Sequence, residues 1–519
     1  MARFFNTAGP CDPRLHYMLP PERRIPGVRG LLAEQAYFVV RAPRQTGKTT
    51  AFRKLAGDLA EEGAFATVHL SCEAAAIARN DVGSGIDTLI SILSREAEAL
   101  APELSPPDPA EVAVVPALDR LTEYLSRWSR KSPLPIVLFL DEIDALQGDT
   151  LLSVLRQLRA GYPHRPAGFP HSVALIGLRD VRDYRAGLEG ETLGTASPFN
   201  IKVESLTLPS FDPQGIAELY DQHQADTGQA FTDEAKALAF ELTGGQPWLV
   251  NALARQAVQA AEGKAEIGSK EIESAKEALI LRRDTHLDSL IDRLREPRVR
   301  RILEPILAGE LLTAEVLDDD IAFVRDLGLV ADRGQGLEIA NPIYREVIPR
   351  ALTSVMEHSV VPPRLSYLAQ NGGLDFDRLL NDFEAFWLEN SESFLHLAPY
   401  SEAAAQLVFM AFLQKITNGK GRVDREYAVG RGRLDLCVRW PRPDGTDERF
   451  AVELKVWRDG RPDPEARGIE QLSSYLDRLG LEKGTLVLFD QRNRAPAVPE
   501  RRYRSQAVHA GRRIDIIRL

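Results

Sequence analysis

The stretch Ala42-Pro43-Arg44-Gln45-Thr46-Gly47-Lys48-Thr49 decides how the rest of the chain is read. It follows the apolar run Tyr37–Val40 and precedes a helix-like segment from Thr50 to Glu61. A strand, a glycine-containing turn and a helix opening on Lys-Thr make a phosphate cradle, because backbone N–H groups and the helix N-terminus converge on one spot. In such a cradle the Lys48 ammonium reaches the β- and γ-phosphates, the Thr49 hydroxyl is a hard oxygen ligand for Mg²⁺, and Thr50 lies next on the helix. Ala42 stands where the motif has its first glycine; the position needs a small residue, and alanine is the smallest that carries a Cβ.

At 519 residues the chain is too long for one core and predicts about three or four domains. Its 44% hydrophobic and 27% charged residues are those of a globular protein. Cys11, Cys72 and Cys437 are scattered, so neither a disulfide framework nor a cysteine zinc site is indicated, and a reducing, cytoplasmic setting is expected. The apolar run Leu407–Leu413 is far too short to span a bilayer, and Met1–Asn6 lacks the apolar core of a signal peptide. Net charge is −11, yet residues 401–519 hold 23 Lys and Arg against 17 Asp and Glu. A basic end on an acidic chain points to an anionic partner there.

The opening residues Phe4–Pro21, rich in Pro and Gly, cannot form a long helix; they either pack on a nucleotide base or lie as an arm over the sheet. Downstream of the cradle, Ala66–Ser71 reads as a strand and Ile86–Leu100 and Val112–Trp128 as helices. The strand Ile136–Leu140 runs into Asp141-Glu142-Ile143-Asp144, the second half of an ATPase site: Asp141 holds Mg²⁺, generally through water, and Glu142 polarises the attacking water. Ser172–Gly177 is another buried strand, and Arg179 just past its end is a candidate γ-phosphate sensor, since ligands lie beyond strand C-termini. Phe199–Leu208 supplies a fifth strand of a parallel sheet. From Pro213 to Leu281 the pattern is helical, with a tight corner where one helix ends at Gly244-Gly245 and the next starts at Pro247.

Ala42–Thr49, Ile136–Asp144, the strand ending in Arg179 and Gly245-Gln-Pro247 together resemble the AAA-like ATPases of the STAND and archaeal-ATPase grouping, over roughly residues 1–285. The resemblance implies a helical lid whose Pro247 turn lies near the adenine of ATP. Residues 290–352 read as helix, helix, two short strands and helix, which resembles a winged helix. Asp318-Asp319-Asp320 opens its second helix and would repel DNA phosphates, so a packing or signal-transmitting module is expected. Val361-Pro-Pro363 and Asn371-Gly-Gly373 read as a linker, followed by an amphipathic helix over Phe376–Glu389 with Leu379, Phe383, Phe386 and Trp387 on one face.

A second chemical site follows. The segments predict helix Glu402–Ile416, strands Asp424–Val429, Arg433–Trp440 and Arg449–Trp457, helix Ile469–Arg478, strand Thr485–Asp490 and a last strand Ile514–Arg518. Glu453 and Lys455 alternate with Val452, Leu454 and Val456, so both polar side chains point to one face, near Asp435 on the preceding strand. Asp435 and Glu453 are a ligand pair for Mg²⁺ or Mn²⁺, and Lys455 would orient water and stabilise developing negative charge. Gly432-Arg433-Leu434-Asp435 with Glu453-Leu454-Lys455 resembles the PD-(D/E)XK nuclease superfamily, in the branch fused to AAA-like ATPases, over about residues 400–519. The resemblance maps its helix glutamate onto Glu402 and its Gln-x-x-x-Tyr onto Gln471 and Tyr475. Arg422, Arg425, Arg431 and Arg433 are either phosphate contacts or, for the first two, a solvated basic face.

The expectation is therefore a multidomain α/β chain: a P-loop AAA-like parallel sheet (1–208), a helical lid (209–288), a winged-helix module (289–352), a linker with a helix (353–400) and an α/β restriction-endonuclease-like domain (401–519). Its expected activity is ATP binding and hydrolysis gating a metal-dependent nuclease that acts on nucleic acid, DNA foremost; analogy with prokaryotic fusions of this kind suggests defence. The alternative is a signalling or scaffold ATPase whose C-terminal domain binds nucleic acid or protein without cutting. A homo-oligomer or a partner protein is compatible with either reading, and no membrane is involved.

Overall fold

The computed structural model describes residues 3–100, 104, 106–178, 201, 203–282, 293–307, 318–332, 336–359, 367–369, 371–397, 404–417, 421–429, 432–492, 495–496, 500 and 502–519. The chain divides into two compact units, residues 1–282 with 325–329, and residues 283–324 with 330–519. No helix among the described residues is long and apolar enough to cross a membrane.

The first unit is built on five strands, β1 (Tyr37–Arg41), β2 (Ala66–Ser71), β3 (Ile136–Asp141), β4 (Ser172–Gly177) and β5 (Glu204–Thr207). All pairs are parallel and the order is β2-β3-β4-β1-β5. Every residue of β3 and β4 is buried, as continuous apolar runs in a sheet covered on both faces require. On one face Tyr37, Val39, Val68, Leu70 and Leu138 meet the helices Val82–Leu100, Ala117–Lys131 and Gly148–Gly161. On the other, Phe38, Val40, Phe139 and Ile176 meet Phe52 and Leu55 of the helix Lys48–Glu61. Truncating a ring such as Phe52 in this layer would cost about 3–5 kcal/mol. Strand β5 is shorter than expected and half-exposed, as suits an edge strand paired on one side only. Of the residues expected to begin it, Phe199, Asn200 and Lys202 lie outside the described residues.

Helices Pro213–Thr227, Asp233–Thr243, Pro247–Ala260 and Ser269–Arg282 make up the segment read as a lid, with a short parallel ladder, β6 (Ala230–Phe231) on β7 (Glu266–Ile267), that the sequence reading did not anticipate. Side chains of Asp212, Thr232 and Gln246 cap three of the four helices at 2.6, 3.2 and 2.6 Å. The corner forms as read: Gly244 is a left-handed C-cap, Gln246 the N-cap and Pro247 the first helical residue. Gly245 is irreplaceable on two counts, a φ of +74° and a Cβ position 1.9 Å from the Phe211 carbonyl oxygen. The N-terminal arm packs against this lid. Phe5 joins Tyr17, Tyr220 and Phe231 in one aromatic cluster, and Trp248 donates its indole N–H to the Thr7 carbonyl at 2.8 Å.

In the second stretch of the chain, helices Pro297–Leu307 and Asp318–Asp326, an antiparallel ladder β8 (Val330–Asp332) and β9 (Leu337–Ile339), and helix Pro342–Ser359 follow in the expected order. Buried Asp320 accepts from Arg298 and Arg301 at 2.7 and 2.6 Å, so these two cations are engaged by a carboxylate.

The second unit carries a six-stranded mixed sheet. Its strands are β10 (Arg422–Val429), β11 (Gly432–Pro441), β12 (Asp447–Trp457), β13 (Lys483–Asp490), β14 (Tyr503–His509) and β15 (Arg512–Arg518), in the order β10-β11-β12-β13-β15-β14. Strands β12, β13 and β15 are parallel, and the helix Glu465–Leu479 makes the crossover that a parallel β12–β13 pair needs. Strand β14 was not expected: its sequence Tyr-Arg-Ser-Gln-Ala-Val-His gives an exposed edge strand with no apolar face. Ala510 and Gly511, at φ of 49° and 79°, turn it into β15 as a tight hairpin. The aromatic helix runs on to Leu397, and Leu379, Phe383 and Trp387 are buried as predicted, with Phe383 against Phe409 of helix Ala404–Thr417 and Phe489 of β13. On the same helix, fully buried Glu384 accepts from Arg502 at 2.9 Å and from Arg504.

Candidate functional sites

The first site sits at the C-terminal ends of β1 and β3, which β4 separates in the sheet. After β1 the backbone hydrogen bonds to β4 once more, Ala42 N–H to the Gly177 carbonyl at 3.2 Å, then turns through Gln45 and Gly47, both with positive φ, into the helix that starts at Lys48. Ala42, where the motif has its first glycine, is buried. Thr46 ties the loop by donating to the Pro43 carbonyl at 2.8 Å, while Arg44 and Gln45 are exposed at its tip. The Lys48 ammonium folds back onto the Ala42 and Pro43 carbonyls at 2.7 and 2.8 Å. Burial pushes it down to about 8, against the pull of Asp141 and Asp144. A cation so desolvated, held by carbonyls alone, is poised for an anion.

Across the crevice Thr49 donates to Asp141 Oδ2 at 2.6 Å, bringing the two expected Mg²⁺ ligands together. His69 Nε2 lies 3.2 Å from the same oxygen. Burial pushes the Asp141 carboxyl up, but the bonds from His69 and Thr49 outweigh it and hold the group below its ordinary value, ionised. Glu142 adopts a left-handed conformation, φ 55°, and its carboxylate accepts the Ser71 hydroxyl from the end of β2. Asp144 accepts the Leu178 N–H at 3.2 Å and fixes the end of β4; Arg179, the expected γ-phosphate sensor, lies outside the described residues.

Beside the loop opens a small cleft. Gly47 and Thr50 of the loop and helix, Cys11 and Met18 of the arm, and Phe211 and Pro247 of the lid line it. Pro247 and the N-terminal stretch thus share one wall of this cleft beside the loop. The sequence reading missed Ser71, His69 and Arg24. Ser71 was recoverable from the rule that strand C-termini face the ligand. Arg24 was not: it is buried with no carboxylate against it, donating to the Thr46 and Pro209 carbonyls at 2.6 and 2.7 Å and stacking on Phe211, contacts only the fold creates.

The second site lies where β11 and β12 part. Their ladder runs up to the Leu436–Val452 pair, and one step on the Leu454 N–H donates to the Asp435 carboxylate at 2.8 Å instead of to a strand. Asp435 is about a third exposed and Glu453 wholly buried. Lys455 contacts Glu453 Oε1 at 2.6 Å and Asp435 at 3.9 Å. The other Glu453 oxygen, Oε2, is buried without a hydrogen-bond partner. Burial, and after it the Asp435 charge, push the Glu453 carboxyl well above the ordinary carboxylate range in spite of Lys455. For Lys455 burial works to lower the ammonium, but the two carboxylates prevail and raise it. No cluster of three or more His, Cys, Asp or Glu among the described residues is placed to hold a metal. The donor set here is two carboxylates, and the orphaned oxygen beside a second acid fits a divalent cation that leaves its remaining positions to water or phosphate.

Gly468 of the crossover helix comes so close to the sheet that a Cβ there would sit 2.8 Å from Leu486 and 3.4 Å from the Lys455 chain. Gln471, one turn on, donates to the Tyr475 hydroxyl at 3.0 Å. Glu402 and Arg431, and the side chains of Arg425 and Arg433, lie outside the described residues.

No family model and no curated protein matches the chain. Solved structures that resemble it include the Walker-type ATPase of Pyrococcus abyssi, at 14% identity and TM-score 0.48 over 66% of this chain and 99% of that one. The ORC2 protein of Aeropyrum pernix, in ADPNP–ADP complexes, matches at 15% identity and TM-score 0.40 over 63% and 91%. The RuvB Holliday junction branch migration motor of Thermotoga maritima matches at 13% and 0.33 over 60% and 88%. Likenesses this loose add no weight to either site; both stand on their own geometry.

Proposed function

We propose that the chain is an ATP-regulated, metal-dependent nuclease: the first unit binds and hydrolyses ATP, and its nucleotide state gates phosphodiester cleavage of nucleic acid, DNA foremost, by the second. The nucleotide half is supported by Thr49 and Asp141 meeting at 2.6 Å while Lys48 waits on carbonyls it can exchange for phosphate oxygens. In this reading Lys48 would exchange the Ala42 and Pro43 carbonyls for the β- and γ-phosphates, Thr49 and Asp141 would hold Mg²⁺, and the Pro247 corner would lie by the base. Glu142 orients the attacking water once it leaves Ser71, which makes release of that hydroxyl a condition for fast turnover.

The observation that carries the nuclease half is Glu453, wholly buried, with one oxygen on Lys455 and the other on nothing, facing a second acid. Such an arrangement is costly in a core and sensible around a cation. Asp435 and Glu453 would hold Mg²⁺ or Mn²⁺, which when bound offsets charge on the scissile phosphate and acidifies water. Lys455 would orient that water and offset charge on the phosphate oxygens, and the partial exposure of Asp435 leaves the substrate a way in.

The test is cleavage of linear, circular and single-stranded DNA, and of RNA, with and without ATP, in Mg²⁺ or Mn²⁺, for wild type beside Asp435→Ala. Cutting that needs Asp435 and responds to ATP is expected. ATP binding with no cutting of any substrate would overturn the nuclease reading in favour of a nucleotide-switched binding protein.

A further inference from the structure

We propose that Asn251 reads the base of the bound nucleotide, accepting a hydrogen bond from the exocyclic amino group of adenine; the inference rests on the nucleotide reading of the Ala42–Thr49 loop.

Asn251 lies one turn into the helix that Pro247 begins, on the wall of the cleft beside the loop, and is only 7% exposed. Its Nδ2 donates to the Pro247 carbonyl at 2.8 Å. A carbonyl only accepts, so the orientation of the amide is fixed and Oδ1 is the free end. That oxygen is buried and has no hydrogen-bond partner, and among the described residues lining the cleft it is the one buried side-chain polar atom left in this state. Other polar groups there already have partners. Thr46 gives its proton to Pro43, Thr50 accepts the Cys11 N–H at 3.0 Å, and the Met18 N–H and carbonyl both face the Gln222 amide.

An orphaned acceptor on an otherwise apolar wall calls for a ligand that brings a single donor. Adenine does so: one amino group flanked by ring nitrogens that tolerate weak contacts. Guanine brings two adjacent donors and a carbonyl that itself needs a donor, and one oxygen leaves at least two of these three unmet. A site built around one buried polar group discriminates by the cost of leaving groups unpaired, which exceeds the value of the bond itself.

The experiment measures equilibrium binding of ATP, GTP and purine riboside triphosphate, which lacks only the 6-amino group, to the full chain, by competition against a fluorescent ATP analogue. Wild type should bind ATP about tenfold or more tighter than either competitor, the value of one hydrogen bond with a buried partner. In Asn251→Ala, ATP should fall to the level of the des-amino nucleotide while that nucleotide keeps its affinity, which also reports an intact cleft. Wild type binding ATP and the des-amino nucleotide equally would overturn the proposal without recourse to any variant. So would Asn251→Ala weakening both alike, the mark of a residue that only shapes the helix start. Failure of wild type to bind any of the three would instead sink the nucleotide reading itself.

Discussion

Replacing Glu453 by glutamine should make the second unit more stable and less able to bind a cation, and the size of the first effect follows from the site. Glu453 is fully buried, its Oε2 has no partner, and the Asp435 charge opposes its ionisation. Glutamine keeps the shape and the acceptor for Lys455, cannot ionise, and offers Asp435 a donor. Relief of an unsatisfied buried polar group is worth about 1–3 kcal/mol, which for a unit of this size raises the melting temperature by roughly 4–8 °C at about 2 kcal/mol. Calorimetric unfolding of the full chain, with ATP added to mark the transition of the first unit, isolates the second. Millimolar Mn²⁺ should shift that second transition upward in wild type and leave Glu453→Gln unmoved. A loss of more than about 1 kcal/mol in Glu453→Gln would mean that the carboxylate serves the core through Lys455 and that the site was misread.

Other consequences are open to simpler assays. Because the Glu453 carboxyl is raised above its ordinary value of 4.5, the folded state holds a proton that the unfolded chain has given up. The second unit should therefore lose stability as pH rises from the ordinary carboxylate value through the raised one, and Mn²⁺ binding should release protons in that window, read by titration calorimetry in buffers of different ionisation enthalpy. Gly245→Ala would drive a methyl into the Phe211 carbonyl and strain a left-handed residue by about 1–2 kcal/mol, so ATP affinity should fall at least about tenfold with the helix content unchanged by circular dichroism. Lys48→Ala should abolish tight ATP binding and leave Mn²⁺ binding at Glu453 intact. Glu384→Ala removes the buried acceptor of Arg502 and Arg504; as both guanidiniums are partly in water, the cost should be about 2 kcal/mol by denaturant titration, well short of a fully sealed pair.

The sequence exposed those parts of the fold in which one physical signal is undiluted. Strands β3 and β4 are unbroken apolar runs because both faces of the sheet are covered, and the turn at Gly244-Gly245-Gln246-Pro247 carries glycine and proline where its geometry demands them. Glu453 and Lys455 were legible as a pair by the period of two along a strand. Strand β14 was not legible, since an edge strand paired on one side and only partly covered on one face needs no apolar pattern. Nor were Arg24 and Asn251, which meet at the first site only because the arm and the lid bring distant segments to one cleft. The orphaned oxygens of Glu453 and Asn251 are a fact of three dimensions: a sequence names a polar residue, and only packing reveals which of its atoms lacks a partner.

The three thiols have unequal access. Cys72 is sealed between the first sheet and its helices, Cys437 lies in the core of the second sheet, and Cys11 alone is partly open, on the arm that forms one wall of the cleft. Burial pushes its thiol up, so it reacts slowly near neutrality and faster in mild alkali. On the proposed nucleotide reading the native chain accordingly carries its own occupancy gauge: a maleimide should take up one equivalent per chain at Cys11, and a nucleotide in the cleft should slow that labelling.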